Sequence, residues 1–275
     1  MFDWKLGEMG WIQAGGKRLE ATSLGPAPGG DHPTIVMLHE GLGCVALWRD
    51  FPEQVQRATG CGVFVYSRAG YGGSDAAELP KTVDFMDGEA LDVLPDVLNA
   101  IGAERYILLG HSDGATISAI YTGGVQDKRI RGLILMAPHF FSEDISAGEI
   151  AKAKTAFETT DWPEKMAKYH NDPEATFMGW AGPWLDVEFQ NDWNVANCID
   201  YWRIPVLAIQ GRQDQYGTLA QLEEIEARTY CPADIVVLED CGHTPHAEKT
   251  EETLAAITEY VARLVRLEAE EVALG

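Results

Sequence analysis

The sequence predicts an α/β fold with a mostly parallel, eight-stranded sheet flanked by helices. Three observations support this class: six short apolar runs suit buried strands, amphipathic segments alternate with them, and a hairpin pattern precedes them. Regular alternation of strands and helices is typical of an open sheet with helices on both faces. With 275 residues, the chain is long enough for one large domain with an insertion.

The first two strands are expected within residues 10–30. Short segments of alternating polarity flank Gly15 and Gly16, and a stretch rich in proline and glycine follows them. This pattern predicts an antiparallel hairpin at the edge of the sheet.

The six remaining strands are runs that are apolar almost throughout, which suits strands covered on both faces. They are residues 34–39, 62–67, 105–110, 132–138, 205–211 and 234–240. Amphipathic segments between them predict helices at 48–58, 83–101, 113–122, 218–228 and 250–270. The last of these opens with a threonine and acidic residues, a typical helix start.

Residues 139–202 interrupt the alternation, because they contain no buried-strand run. Roughly sixty residues are too many for a plain loop. We therefore expect a core formed by residues 1–138 and 203–275, with a helical cap formed by 139–202. The segment is rich in tryptophan: Trp162, Trp180, Trp184, Trp193 and Trp202.

Composition excludes several classes of function. The formal net charge of −22 repels phosphate backbones, so a nucleic-acid partner is not expected. No apolar stretch reaches the roughly 18 residues of a membrane span, and the first residues lack a signal-peptide core. A cytoplasmic protein without a membrane partner is expected. The five cysteines form no C-x-x-C pair, which argues against a disulfide framework or a zinc site.

Reactive side chains cluster where the predicted strands end. Ligands of open α/β sheets bind beyond the carboxyl ends of the strands. The segments that follow the strands there are HEGLG (39–43), SRAGYGGSD (67–75), GHSDG (110–114), RQDQYG (212–217) and CGHTPH (241–246). Serine, aspartate and histidine thus occur in that order, each after a different strand.

In these segments the chain resembles the α/β-hydrolase-fold superfamily, in its capped serine hydrolase or esterase form. The resemblance covers nearly the whole length, and the order Ser…Asp…His is the one that this family uses. It implies an α/β-hydrolase fold with a helical cap over the carboxyl edge of the sheet.

Three residues are candidates for catalysis. Ser112, between Gly110 and Gly114, is the expected nucleophile on a tight strand-to-helix turn. His243 is the expected base, with His246 as its nearest rival. Asp214 is expected to orient the imidazole.

Asp234 and Asp240 compete with Asp214 for the acidic role. Asp214 is preferred because it follows a separate strand, whereas Asp240 ends the strand that carries the histidine.

The oxyanion hole is expected to use the backbone amide of Asp113, at the start of a helix. The second donor lies in the loop after His39. Gly41 is preferred by its position two residues after that histidine, with Leu42 as the alternative.

Candidates for the substrate pocket are His39, Leu42, Trp162 and Trp184. A structural role is the alternative for His39, as for His111. The tryptophans of the insertion either wall the pocket or dock the cap on the core. A buried ion pair between Arg68 and Glu40, bracing two loops, is a further hypothesis; the alternative is that both side chains are solvated.

These residues predict hydrolysis of a small or medium carboxylic ester through an acyl-enzyme, without a metal or other cofactor. Thioester, lactone or carbon–carbon bond hydrolysis, perhydrolysis and non-catalytic binding of a small molecule remain alternatives. The sequence leaves the oligomeric state open, with a homodimer as one candidate.

Overall fold

The computed structural model describes residues 1–274 and places eight strands in one sheet. The strands are β1 (Met9–Ala14), β2 (Lys17–Leu24), β3 (Thr34–Leu38), β4 (Gly62–Tyr66), β5 (Tyr106–His111), β6 (Ile130–Met136), β7 (Val206–Gly211) and β8 (Ala233–Leu238). Their order is β1-β2-β4-β3-β5-β6-β7-β8; β2 is antiparallel to both neighbours and the other pairs are parallel. The predicted eight-stranded, mostly parallel sheet is confirmed.

The predicted hairpin is the antiparallel pair β1–β2 at the edge of the sheet. Gly15 and Gly16 form its two-residue turn with φ values of 55° and 71°. Positive φ at both central positions is what a tight hairpin turn requires, and glycine adopts it without a steric penalty.

The central strands are buried on both faces, as their continuous apolar runs predict. All five residues of β3 are buried, and alternate side chains enter different cores. Val36 and Leu38 pack into one core, whereas Ile35 and Met37 pack into the other. This division follows from the two-residue period of a strand, and it holds the carboxyl ends of the strands on a rigid frame.

The five predicted helical segments are present, and their ends differ from the prediction by a few residues; the helix at 245–248 and the individual helices within 139–202 have no separate prediction. In chain order the helices are α1 (Phe51–Thr59), α2 (Phe85–Gly88), α3 (Leu94–Ile101), α4 (Asp113–Val125), α5 (Asp144–Thr159), α6 (Trp162–Met166), α7 (Pro173–Trp184), α8 (Val187–Asp192), α9 (Ala220–Arg228), α10 (Pro245–Glu248) and α11 (Thr250–Leu274). A π-helical turn, Glu89–Val93, joins α2 to α3.

The segment between β6 and β7 is helical, as predicted, and contains α5 to α8 and a 3-10 turn, Ala196–Tyr201. Its last tryptophan, Trp202, is fully buried, and the indole Nε1 donates to the carbonyl oxygen of Ala119 in α4 at 3.0 Å. The segment is therefore anchored to the sheet-flanking helix that starts beside Ser112. The boundaries of a separate cap at residues 139 and 202 stay a prediction.

Candidate active site

Ser112 occupies a strained turn between β5 and α4. Its φ of 52° and ψ of −120° are unusual for a residue with a side chain, and such strain is found where the surrounding structure enforces it. A Cβ on Gly110 would lie 2.3 Å from the carbonyl oxygen of Gly114, and one on Gly114 would lie 2.1 Å from that of Leu38. Both glycines are therefore steric requirements of the turn.

The structure brings Ser112, His243 and Asp214 together from the ends of three strands. The His243 Nε2 atom lies 2.9 Å from the Ser112 hydroxyl oxygen. The Nδ1 atom of the same ring lies 2.8 and 2.9 Å from the two carboxylate oxygens of Asp214. The imidazole thus bridges a hydroxyl and a carboxylate, which is the arrangement needed to remove a proton from the hydroxyl.

The Asp214 carboxylate is held in its charged form. The backbone amide of Tyr216 donates to Oδ1 at 2.8 Å, and the side-chain amide of Gln210 lies 3.3 Å from Oδ2. Burial opposes the charge, but the His243 ring and the Tyr216 amide outweigh it and keep the pKa of Asp214 below its usual value. An ionised carboxylate here favours the tautomer with a proton on Nδ1.

The rival acids and the rival base are engaged elsewhere. Asp234 pairs with Arg263 of α11, and Asp240 is exposed at the end of β8. The ring of His246 packs against those of Trp48 and Phe51, with centroids 5.0 and 5.3 Å apart. Among the five candidates, the structure joins only Asp214 and His243 to Ser112.

The loop after β3 is a turn in which the Gly43 amide donates to the Glu40 carbonyl at 3.2 Å. Arg68, fully buried, donates from Nη1 to the carbonyl of His39 and from Nη2 to that of Glu40. The hypothesis of an Arg68–Glu40 ion pair is therefore wrong. The guanidinium braces this loop through backbone oxygens, and the Glu40 carboxylate points instead to the ring of His111, 3.5 Å from Nδ1.

His39 lies beneath this loop and not in the pocket wall, so its assignment to the pocket is corrected. Its Nδ1 donates to the Glu40 carbonyl at 2.7 Å, and its Nε2 accepts from the Arg68 amide at 3.1 Å. Because both ring nitrogens are occupied and the ring is fully buried, the side chain supports the loop. Burial and the Arg68 charge hold the pKa of His39 well below its usual value.

A cavity of about 120 Å³ opens onto Ser112 and His243. Its other lining residues are Glu40, Gly41, Leu42, Asp113, His139, Ser146, Ile150, Trp162, Trp180, Trp184 and Tyr216. Leu42, Trp162 and Trp184, which are candidates for the substrate pocket, are among these lining residues. His139 and Tyr216 were missed, although both follow the carboxyl ends of strands, β6 and β7. Trp180 was recognised only as part of the insertion.

The tryptophans of the insertion divide between the two roles that the sequence left open. Trp162, Trp180 and Trp184 line the cavity. Trp193 stacks with Phe189, with ring centroids 4.6 Å apart, and Trp202 packs on the core. The wall of the cavity is therefore mostly apolar and aromatic, and the insertion supplies much of it.

Asp113 places a buried carboxyl group directly after Ser112 in the chain. Within residues 1–274, neither of its carboxyl oxygens has a hydrogen-bond partner. Burial raises the pKa of this group, although the charge of Arg68 counteracts the shift. Its backbone amide begins α4, where amides have no partner in the preceding turn.

The described residues show no candidate metal centre. Nowhere in residues 1–274 do three or more histidine, cysteine, aspartate or glutamate side chains form a group suited to a metal ion. Within the same residues, none of the five cysteines forms a disulfide bond. In the same part of the chain, no helix has the length and apolar character needed to cross a membrane.

Known structures resemble this one over nearly its whole length. The 2-hydroxy-6-oxo-6-phenylhexa-2,4-dienoate hydrolase of Rhodococcus sp. strain RHA1 matches with a TM-score of 0.76 and 18% identity, covering 92% of this chain and 98% of that one. A proline iminopeptidase of Mycobacterium smegmatis matches with a TM-score of 0.72 and 19% identity, covering 95% of this chain and 100% of that one. A thermophilic esterase of Thermogutta terrifontis matches with a TM-score of 0.68 and 18% identity, covering 94% of this chain and 99% of that one. These likenesses show the fold.

Among curated proteins, none matches the sequence significantly. The model of the alpha/beta hydrolase family matches residues 35–257, a range that contains Ser112, Asp214 and His243. This match covers most of the chain and agrees with the sheet order and the flanking helices. The chain is therefore a member of the alpha/beta hydrolase family.

Proposed function

We propose that this protein is a serine hydrolase that cleaves a small or medium carboxylic ester through an acyl-enzyme intermediate. The observation that carries this proposal is the His243 ring, which lies 2.9 Å from the Ser112 hydroxyl and 2.8 Å from the Asp214 carboxylate. A serine hydroxyl is a weak nucleophile at neutral pH and needs such a base.

The first half of the reaction acylates Ser112. The hydroxyl oxygen attacks the ester carbonyl carbon while His243 Nε2 takes its proton. Asp214 stabilises the imidazolium that forms. The tetrahedral intermediate then collapses, the bond to the alcohol oxygen breaks, and the imidazolium returns the proton to the leaving alcohol. In the second half, a water molecule attacks the acyl-enzyme by the same route and releases the acid.

The backbone amides of Asp113 and Gly41 are the proposed oxyanion donors. The Glu40 carbonyl is turned towards Arg68, His39 and the Gly43 amide. In a planar trans peptide, the N–H points opposite to the carbonyl, so the Gly41 amide faces away from these groups. Gly41 and Leu42 both line the cavity, so the preference for Gly41 rests on the orientation of its amide.

The cavity favours a small, uncharged acyl group. Its volume of about 120 Å³ is below the range typical of sites for drug-sized ligands. Its wall includes Ile150, Leu42 and three tryptophans, and no lysine or arginine lines it among the described residues. An anionic acyl group would find no counter-charge there.

The decisive experiment compares wild type with Ser112→Ala on chromogenic esters of graded acyl length, then on thioesters and lactones. We expect Ser112→Ala to lower kcat by roughly 1,000-fold or more. Ser118→Ala is the matched control, because the Ser118 hydroxyl donates only to the Gly114 carbonyl within α4. Equal activity of wild type and Ser112→Ala would refute the nucleophile. Turnover of thioesters or lactones alone would replace the ester proposal, and tight binding without turnover would favour a binding protein.

A further inference from the structure

Glu40 and His111 each precede a residue of the proposed reaction site, Gly41 and Ser112, and they contact one another. The His111 ring is fully buried, and its Nδ1 lies 3.5 Å from the Glu40 carboxylate. Its Nε2 lies 2.7 Å from the backbone carbonyl oxygen of His243. One ring therefore joins the nucleophile turn to the loop of Gly41 and to the loop of the proposed base.

Both oxygens that face the His111 ring nitrogens carry lone pairs. The His243 carbonyl is at hydrogen-bond distance from Nε2, whereas the Glu40 carboxylate makes an ion-pair contact at 3.5 Å, and Nδ1 has no hydrogen-bond partner within residues 1–274. A backbone carbonyl can only accept, and an ionised carboxylate can only accept. A neutral imidazole has a single N–H and would turn a lone pair towards one of these oxygens. Both contacts are favourable only when both ring nitrogens carry a proton, which makes the ring a cation.

The surrounding charges are consistent with that state. Burial alone would lower the pKa of His111, but the Glu40 carboxylate and the His243 carbonyl raise it above its usual value. Burial opposes ionisation of Glu40 as well, yet its contact with His111 lowers the pKa of this carboxyl overall.

The other titratable groups near His111 do not replace Glu40 as its counter-ion. His243 and His246 come from the loop after β8, with ring centroids 5.2 and 4.9 Å from that of His111. His139, after β6, has its ring centroid 5.6 Å from that of His243, and Asp214, after β7, contacts His243 Nδ1. Burial lowers the pKa of His139 and of His246 to about 3, so these two rings are neutral near pH 7.

Given that Ser112 and His243 react as described above, we propose that Glu40 and a cationic His111 are positioning residues for the reaction. Their ion pair fixes the loop that carries the Gly41 amide, and the second N–H of His111 fixes the peptide of His243. Because Glu40 and His111 carry opposite charges, the pair has no net charge beside the base. A lone cation there would disfavour the His243 imidazolium that the reaction requires.

The first test is Glu40→Gln, which keeps the shape of the side chain and removes its charge. We expect kcat to fall about tenfold or more with little change in KM, because the site is misaligned and not emptied. The alkaline limb of the kcat profile should move to lower pH, since His111 loses its proton more readily without Glu40. Glu53→Gln, an exposed substitution in α1, is the matched control and should leave both quantities unchanged.

The second test is a double-mutant cycle with His111→Gln. If the two residues act as a pair, Glu40→Gln should have almost no further effect in the His111→Gln background. Thermal unfolding of each variant distinguishes a local effect from loss of the fold.

The third test needs no activity and uses nitrogen NMR of the Ser112→Ala protein. Both ring nitrogens of His111 should carry protons at pH 7, and Nδ1 should lose its proton when Glu40→Gln is added. A wild-type kcat and pH profile in Glu40→Gln, or a singly protonated His111 at pH 7, would overturn the ion pair. Activity retained by Ser112→Ala would instead refute the proposed reaction, and the NMR result would still decide the state of His111.

Discussion

His243 Nε2 lies 2.9 Å from the hydroxyl oxygen of Ser112, although 131 residues separate them in the chain. The contact depends on β5 and β8, which lie three strands apart in the sheet and end at the same edge. Because both strands are parallel members of one sheet, the turn of Ser112 and the loop of His243 lie at the same edge.

Replacing Asp214 by asparagine should lower kcat about 10,000-fold, as expected when a base loses the group that fixes its tautomer. The introduced side-chain amide would present a donor to Nδ1 of His243, so the ring would place its proton on Nε2, facing Ser112. Steady-state kinetics on the best ester measure the effect. Asp240→Asn is the matched control and should be nearly silent, because Asp240 is exposed. Near-normal activity of Asp214→Asn, with loss in Asp240→Asn, would transfer the role to Asp240.

Asp113→Asn should retain activity within a few-fold, because the proposed oxyanion donor is the backbone amide and not the side chain. It should also raise the free energy of unfolding at pH 8, by about 1 kcal/mol, by removing a buried carboxylate without a hydrogen-bond partner. The pKa of Asp113 is raised in the folded state, so its charged carboxylate destabilises the folded protein at high pH. This destabilisation vanishes as the pH falls below the pKa that Asp113 has in the unfolded chain.

Denaturant unfolding of wild type and Asp113→Asn at pH 8 and pH 4 measures this difference. The increase in the free energy of unfolding of Asp113→Asn over wild type should be smaller at pH 4 than at pH 8. A loss of activity by orders of magnitude would instead give the carboxyl group a part in the reaction.

Ile150→Ala should widen the cavity and shift the preferred ester to a longer acyl chain. Ile150 is buried and lines the cavity from α5. One methylene in an apolar pocket changes discrimination by roughly tenfold or more, so kcat/KM for the longer ester should rise relative to the shorter one by about that factor. Ile145→Ala on the same helix is the control, since Ile145 is exposed and does not line the cavity. An unchanged chain-length profile in Ile150→Ala would place the acyl group elsewhere.

His246→Phe should make the protein more resistant to acid. Burial lowers the pKa of His246 to about 3, whereas an unfolded histidine titrates near 6.5. Stability from this neutral ring is complete above pH 6.5 and is lost as the pH falls towards 3, because the unfolded chain takes up the proton first. Phenylalanine can keep the packing on Trp48 and Phe51 without titrating.

The difference in the free energy of unfolding between His246→Phe and wild type should therefore grow by about 2–3 kcal/mol between pH 7.5 and pH 4.5. Denaturant titrations at the two pH values measure it. If this difference does not change with pH, titration of His246 does not destabilise the folded protein in acid.

Sequence patterns were sufficient for the sheet and for the identity of the residues that meet at its edge. Continuous apolar runs mark strands covered on both faces, and parallel strands must end at one edge. Ser112, Asp214 and His243 each follow such a run. Their convergence is therefore a consequence of periodicity and of the rules of strand connection, which local sequence carries.

Other features depended on the tertiary structure, because they arise where loops from distant strands approach one another. Sequence alone paired Arg68 with the Glu40 carboxylate and placed His39 in the pocket. In the folded protein, Arg68 binds the carbonyls of His39 and Glu40, and the Glu40 carboxylate meets His111. No residue spacing encodes which atom of a side chain or peptide faces its neighbour.

The tryptophans show the same division. Composition identified residues 139–202 as an aromatic, helical insertion, but only the packing of α7 over the site decided that Trp180 and Trp184 line the cavity while Trp202 anchors the segment. The sequence by itself determined the fold, the edge where reactive groups gather and their types. The tertiary structure decided the size and wall of the cavity and the partner of each buried charge, because these depend on contacts between segments that only folding brings together.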